Sequence, residues 1–149
     1  MTELCNLQSA ICNPPKAITL HPVWAWAVIH GPKRVENRTW ATRHRGPLLI
    51  HAGGGNARAD AEARAILEGL GVAVPDDDAL PRGVLLGTVE LVDVVRLDRR
   101  QGELFDLQSA IPDPQSLATG PVCWILAGPR PLARPVPCRG RRRLFRVEA

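Results

Sequence analysis

WAWAVIHGPKRVENRTWATRHRGPLLIHA, residues 24–52, carries the signals that decide the architecture. Pro22 sits where a helix starts, and apolar residues continue until Gly31 stops them, so 22–30 reads as a short buried helix. KRVENR, 33–38, reads as extended, with Val35 facing inward. TWATRHRG is a loop, and PLLIHA, 47–52, is a buried strand followed by the turn Gly53-Gly54-Gly55. If strand alternation runs through 33–38, Lys33, Val35 and Asn37 share one side, and Arg34, Glu36 and Arg38 share the other. Glu36 then lies between two guanidinium groups. Lys33 reaches the same cleft only if the strand is twisted or bulged. A carboxylate so placed can accept hydrogen bonds from the exocyclic amine of a base, or orient an arginine that holds phosphate. The competing reading is a surface cluster whose ion pairs contribute little.

Downstream, Asn56 can cap a helix running to about Leu70. Ala59, Ala63, Ile66, Leu67 and Leu70 share its apolar face. VPDDDALPRG is an exposed loop, and 83–97 is a long strand, or two strands joined at Gly87. Residues 98–120 are loop-like, 120–128 form a strand, 129–137 an extended Pro-rich connection, and 141–147 a final strand. The expected fold class is α+β, with a small, mixed but mainly antiparallel β-barrel of five or six strands and two or more flanking helices. ELCNLQSAICNP (3–14) and ELFDLQSAIPDP (103–114) agree at eight of twelve positions, too short a match to define a repeat architecture.

The chain has 149 residues, one domain's length, divided here into an N-terminal segment (1–15) and a single domain (16–149). At 45% hydrophobic and 23% charged it is globular in composition. Its four cysteines (Cys5, Cys12, Cys123, Cys138) form no CxxC pair, so they read as reduced and structural. Cysteines and histidines lack metal-ligand spacing; no metal and no cofactor are expected. The opening MTELCNLQSAICNPPK lacks the pattern of a secretory signal, and no apolar run approaches the ~18 residues of a membrane span, so a cytoplasmic location with no membrane partner is expected. Charge is segregated. Residues 16–58 hold seven Lys/Arg and one acid, 59–113 five and twelve, and 114–149 seven and one. If the two basic blocks meet in the fold they make a face suited to phosphates; otherwise the charge is spread over a solvated surface. The densest basic run, Arg139-Gly-Arg-Arg-Arg143, either holds nucleic-acid backbone or is a solvated turn.

The opening stretch closely resembles the ASCH domain of the PUA-like superfamily, named for activating signal cointegrator 1 homology. That family carries a G-x-K-x-x-E-x-R motif, met here by Gly31, Lys33, Glu36 and Arg38. Trp24, Trp26, Asn37, Trp40 and the Arg45-Gly46-Pro47 turn around it are similar to one bacterial branch. GTVELVDVV, PVCWILAGPRPL and PVPCRGRRRLF are similar to the family's closing strands, so the resemblance covers roughly 16–147. It implies a PUA-like β-barrel with a cleft beside the motif, binding RNA or a modified nucleobase or nucleoside. Lys33, Glu36 and Arg38 would line the cleft, with Trp24, Trp40, Arg45 and His51 as walls, and Arg139 and Arg141 would hold backbone. Such recognition combines stacking, base-edge hydrogen bonds and basic groups.

Some small relatives in that family are amidohydrolases that deacylate N4-acetylcytidine with a Lys, a Thr and a Glu; others are linked to RNA cleavage. Their Lys matches Lys33, but their Thr falls where this chain has Glu36, and Glu90 and Glu103 are the candidates for the Glu. The alternative function is therefore a hydrolase using Lys33 and Glu36 on acylated cytidine or RNA. A third reading is a protein-interaction domain using the acidic middle block, whose partner the sequence does not name. Trp24 and Trp26, two apart on a helix, point different ways, so at most one faces the cleft. Trp124, amid Val122, Cys123, Ile125 and Leu126, reads as core, and His51 as a hydrogen-bonded structural histidine.

Overall fold

The computed structural model describes residues 15–97 and 117–147. The chain runs β1 (Lys16–Leu20), α1 (Pro22–Ile29), β2 (Val35–Arg38), β3 (Gly46–Ala52), α2 (Ala57–Gly69), a 3-10 turn (Asp77–Ala79), β4 (Val84–Arg96), β5 (Val122–Pro137) and β6 (Phe145–Arg146). Nearly all of the N-terminal segment, most of the expected 98–120 loop, both copies of the LQSAI stretch, Cys5, Cys12 and Glu103 lie outside the described residues.

The strands form one six-stranded sheet in the order β2-β5-β4-β3-β1-β6. Among the described residues only β1 and β3 pair in parallel; the other neighbours are antiparallel. With its two α-helices this is the expected mixed α+β class, but the expected barrel does not close: among the described residues β2 and β6 are edges. At four and two residues they are too short to sustain a closing ladder. The sheet nevertheless curls. Arg38 in β2 donates from Nη2 to the backbone oxygen of Thr19 in β1 at 2.8 Å. Laid flat at ~4.8 Å per strand, four strand steps would separate β2 from β1 by roughly 19 Å, beyond the reach of an arginine.

α1 is apolar on nearly every side, and Pro22, Val23, Ala25, Ala27, Val28 and Ile29 are all buried. A helix of that kind has to sit inside the molecule. It packs on β3 and β4 on one side and on α2 on the other. The main core beneath it joins Val28, Leu48, Ile50, Leu91 and Leu126 around Trp124, which is fully buried as expected. Asn56 caps α2 by accepting from the Ala59 amide at 2.8 Å. The apolar face of α2 is narrower than its sequence suggests. Ala63 and Leu67 are buried, but Ile66 and Leu70 remain 49% and 41% exposed. The third inward position is Asp60, 3% exposed and paired with Arg82 at 2.9 Å.

The Pro-rich stretch expected to be a connection is instead the second half of β5, sixteen residues long. β2 flanks β5 only over 122–125, so beyond that point β5 has an open edge among the described residues. Prolines, which lack an N–H, are tolerated on such an edge. The last strand shortens from the expected 141–147 to two residues. Cys123 and Cys138 are free, and burial pushes both thiols above their ordinary range, in keeping with structural cysteines.

Gly87 is where α1 touches the β4–β5 ladder. A Cβ there would lie 2.5 Å from the Arg130 oxygen and 2.8 Å from Ile29 Cδ1. Gly87→Ala is expected to destabilise the fold by about 1–3 kcal/mol through overpacking. Gly69→Ala, at the end of α2 with nothing within 4 Å of the new Cβ, is expected to stabilise it by about 0.5–1 kcal/mol. Urea unfolding midpoints of the two variants, moving in opposite directions, would check this.

Candidate functional site

The site is built where α1 hands over to β2. His30 and Gly31 close the helix with backbone bonds to Trp26 and Ala27 oxygens. A Cβ on Gly31 would lie 2.9 Å from the Ala27 oxygen, so the tight exit requires glycine. The Lys33 amide also bonds the Ala27 oxygen, at 3.1 Å. Lys33 is thus held by the helix end and not by the strand, which starts only at Val35. Strand alternation therefore does not govern its side chain.

This corrects the expected flanking of Glu36. Glu36 lies between Lys33 and Arg38, not between two arginines. Lys33 Nζ donates to Glu36 Oε1 at 3.0 Å, and Arg38 Nη2 meets Oε2 at 3.0 Å. Lys33 Nζ also donates to the Val35 oxygen and lies 5.2 Å from the centroid of the Trp24 ring. Lys33 is only 2% exposed and Glu36 9%. Arg34 turns away and donates to the oxygens of Val28, Gly31 and Lys33, satisfying carbonyls that the end of α1 leaves open.

These groups line a partly enclosed pocket of about 560 Å³, within the ~300–1,000 Å³ typical of small-molecule sites. Lys33, Glu36, Arg38 and Trp24 stand in its wall. Trp26 packs instead in the α1–α2 cluster. Two further walls had no signal in local sequence pattern. The first is the Gly53-Gly54-Gly55 turn. The second is Asn37, whose Nδ2 donates to the Leu117 oxygen at 2.8 Å and whose Oδ1 accepts from the amides of Thr119 and Gly120, each at 2.9 Å. That one amide fastens segment 117–120 to the pocket rim.

The other expected wall residues lie elsewhere. Trp40 and Arg141 border a neighbouring depression that shares Thr19 and Arg38 with the pocket. His51, Arg139 and Arg141 border a third, which shares Thr19, Gly53 and Gly54. Both ring nitrogens of His51 are engaged. Nε2 lies 2.6 Å from the Cys138 oxygen and Nδ1 3.1 Å from Thr19 Oγ1. A carbonyl only accepts, so Nε2 carries a proton, and in the neutral ring Nδ1 accepts from the Thr19 hydroxyl. His51 thus fastens the basic segment to β1 and β3. Arg45 is outside all three: it bonds the Thr42 and His44 oxygens and sits 3.6 Å from Asp93 on the surface. Glu90 is exposed on β4 and is not in the pocket wall, so it does not complete a Lys–Glu catalytic set there.

The buried pair makes a stability test. Glu36→Gln leaves the buried Lys33 without a carboxylate and is expected to cost about 3–5 kcal/mol, most of which Lys33→Met/Glu36→Gln should recover by removing the uncompensated charge. Asn37→Ala, which strips its partners of several hydrogen bonds, is expected to cost about 1–3 kcal/mol. Equilibrium unfolding of the three variants checks both; a double variant no more stable than Glu36→Gln would contradict the pairing.

Residues 18–132 match the family model described as ASCH domain. The chain is 31% identical over 137 residues to Activating signal cointegrator 1 of Mus musculus and 30% identical to that of Homo sapiens. Those alignments cover 89% of this chain but 22% of each relative, so the chain spans about a fifth of their length. Among solved structures, the crystal structure of ASCH from Zymomonas mobilis superposes with a TM-score of 0.52 at 16% identity, covering 91% of this chain and 88% of that one. A mutant of the same protein gives 0.54 at 16% identity, covering 91% of each chain. At that identity the likeness is one of fold. With its sequence matched over most of its length, the chain belongs to the ASCH domain family.

Proposed function

We propose that the chain binds RNA, or a modified nucleobase or nucleoside, with the base in the pocket walled by Trp24, Lys33, Glu36 and Arg38. The observation that carries this reading is a buried lysine and glutamate linked to a half-buried arginine in the wall of a nucleoside-sized pocket. Each Glu36 oxygen spends one lone pair on a cation and retains another, which can accept from an exocyclic amine. The Trp24 ring offers a stacking wall, and the excess of cations over carboxylates suits a phosphate-bearing ligand. Arg139 and Arg141 border the adjoining depression and, in this reading, hold backbone. Tryptophan fluorescence titrations with nucleotides and single-stranded RNA at two salt concentrations test it. Binding should weaken with salt, and Arg38→Ala should weaken it about ten-fold or more in a protein that stays folded by circular dichroism. Salt-independent binding that ignores Arg38→Ala would overturn the reading.

A second reading, hydrolysis of N4-acylated cytidine or RNA, is favoured by one observation: Lys33 Nζ and Glu36 Oε1 are in direct contact, so a proton can pass between them. Incubation with N4-acetylcytidine and with a structured RNA decides it. Turnover abolished by Glu36→Gln supports the hydrolase; absence of turnover in the wild-type protein removes it.

A further inference from the structure

The depression beside the main pocket has a floor of its own. Trp40 packs edge-on against Trp124, with centroids 4.8 Å apart and planes at 87°. Its backbone oxygen accepts from the Trp124 indole at 3.2 Å. Its ring is therefore fixed by the core while its side chain stays only partly buried. The guanidinium of Arg143 lies over that ring, 5.0 Å from its centroid. Arg143 is also the described non-glycine residue with positive φ, at 56°. Side chains avoid that conformation unless their surroundings impose it, and such outliers collect at ligand sites. Here it brings a flat cation onto a flat, anchored indole.

Arg38 stands between this platform and the pocket and lines both. Its Nη2 is committed to Glu36 and Thr19, which fixes the guanidinium, while its buried Nε has no partner among the described residues. Arg141, Arg142 and Arg143 border the same depression, and none is ion-paired to a carboxylate among the described residues. A fixed arginine that lines both hollows, with uncompensated arginines beside it and an aromatic ring in the wall of each, gives the order that a dinucleotide presents: base, phosphate, base.

We infer that the pocket and the Trp40–Arg143 platform are successive nucleotide subsites, so that the smallest full ligand is a single-stranded dinucleotide whose linking phosphate is held by Arg38. This rests on the base-binding reading of the main pocket. The second base stacks on Trp40 beneath the Arg143 guanidinium, which lifts to cover its outer face, as bases stack on aromatic and guanidinium planes in single-stranded recognition. A base inside a duplex cannot present both faces in this way, so the site selects single strands.

The test measures binding of a nucleoside monophosphate, a dinucleotide, a trinucleotide and a twelve-base-pair RNA duplex to the full chain. The dinucleotide is expected to bind about ten-fold tighter than the monophosphate or better, by the usual worth of a stacked base. The trinucleotide should add only a few-fold, and the duplex should bind more weakly than the dinucleotide. Trp40→Ala should erase the dinucleotide gain and leave monophosphate affinity unchanged. Trp40→Phe should restore part of it and guards against misfolding of the alanine variant. Arg143→Gly, which keeps the left-handed backbone, should also reduce the gain. Monophosphate binding with no dinucleotide gain, a gain that survives Trp40→Ala, or tighter binding of the duplex would overturn this inference alone. Failure of the wild-type protein to bind any of the four ligands would overturn the base-binding reading of the pocket as well.

Discussion

The Glu36 carboxylate ties together three parts of the chain that the strand ladder does not. One oxygen takes Lys33, which is fastened to the end of α1, and the other takes Arg38. Arg38 then reaches across to β1 through the Thr19 oxygen. Helix exit, one sheet edge and a strand four places further along the sheet thus meet at one acid. The curl of the sheet and the hollow beneath it follow from that convergence. The four motif positions divide the work accordingly: Gly31 permits the tight helix exit, Lys33 and Arg38 supply opposed cations, and Glu36 joins them.

Such an arrangement is a poor way to gain stability alone. Taking Lys33 and Glu36 out of water costs several kcal/mol per ion, and well-packed apolar residues at such positions often do as well or better. The two ions are instead placed in a pocket wall, where polar groups fixed in advance favour recognition. Asp60 and Arg82 form a comparable pair that lies outside the pocket wall. There the aspartate substitutes for an apolar contact on the inner stripe of α2, and its Oδ1 is left without a partner among the described residues. Among the described residues, charge is therefore buried twice, once in a cleft and once at a helix seam.

What the sequence made legible was local. The exit of α1 at Gly31, the Asn56 cap, the core position of Trp124 and the strand 47–52 each follow from nearest neighbours, and each stands close to its expected place. The misreadings share a cause, which is that distant contacts overrode a local period. Alternation puts Lys33 on a strand face only when it extends back past Val35, whereas the Lys33 amide belongs to the helix end. The prolines of β5 read as a break because nothing local reveals that β2 stops short and leaves an edge there. Asn37 finds partners 80 or more residues away, and a periodic pattern carries no trace of such contacts. Strand count and family resemblance both point to a barrel, and the short edge strands leave the described sheet curled but open.

The three glycines at 53–55 look in sequence like a plain turn, yet steric space gives two of them a stronger reason. A Cβ at Gly53 would lie 2.9 Å from Thr19 Cγ2, and one at Gly55, with φ at +66°, would lie 2.6 Å from Pro22 Cδ and 3.1 Å from Asp60 Oδ1. Gly54 has nothing within 4 Å of that position and faces open space. The turn between β3 and α2 therefore passes as close to β1 and the start of α1 as backbone allows. Because it passes so close, the same turn can border both the main pocket and the depression under His51. A larger side chain at 53 or 55 would push the turn away from Thr19 or Pro22, and Thr19 is the residue whose oxygen receives Arg38. The glycines and the Glu36 junction are thus two ends of one constraint: strands β1 and β2 can share a cleft only if the turn beside them takes up almost no room.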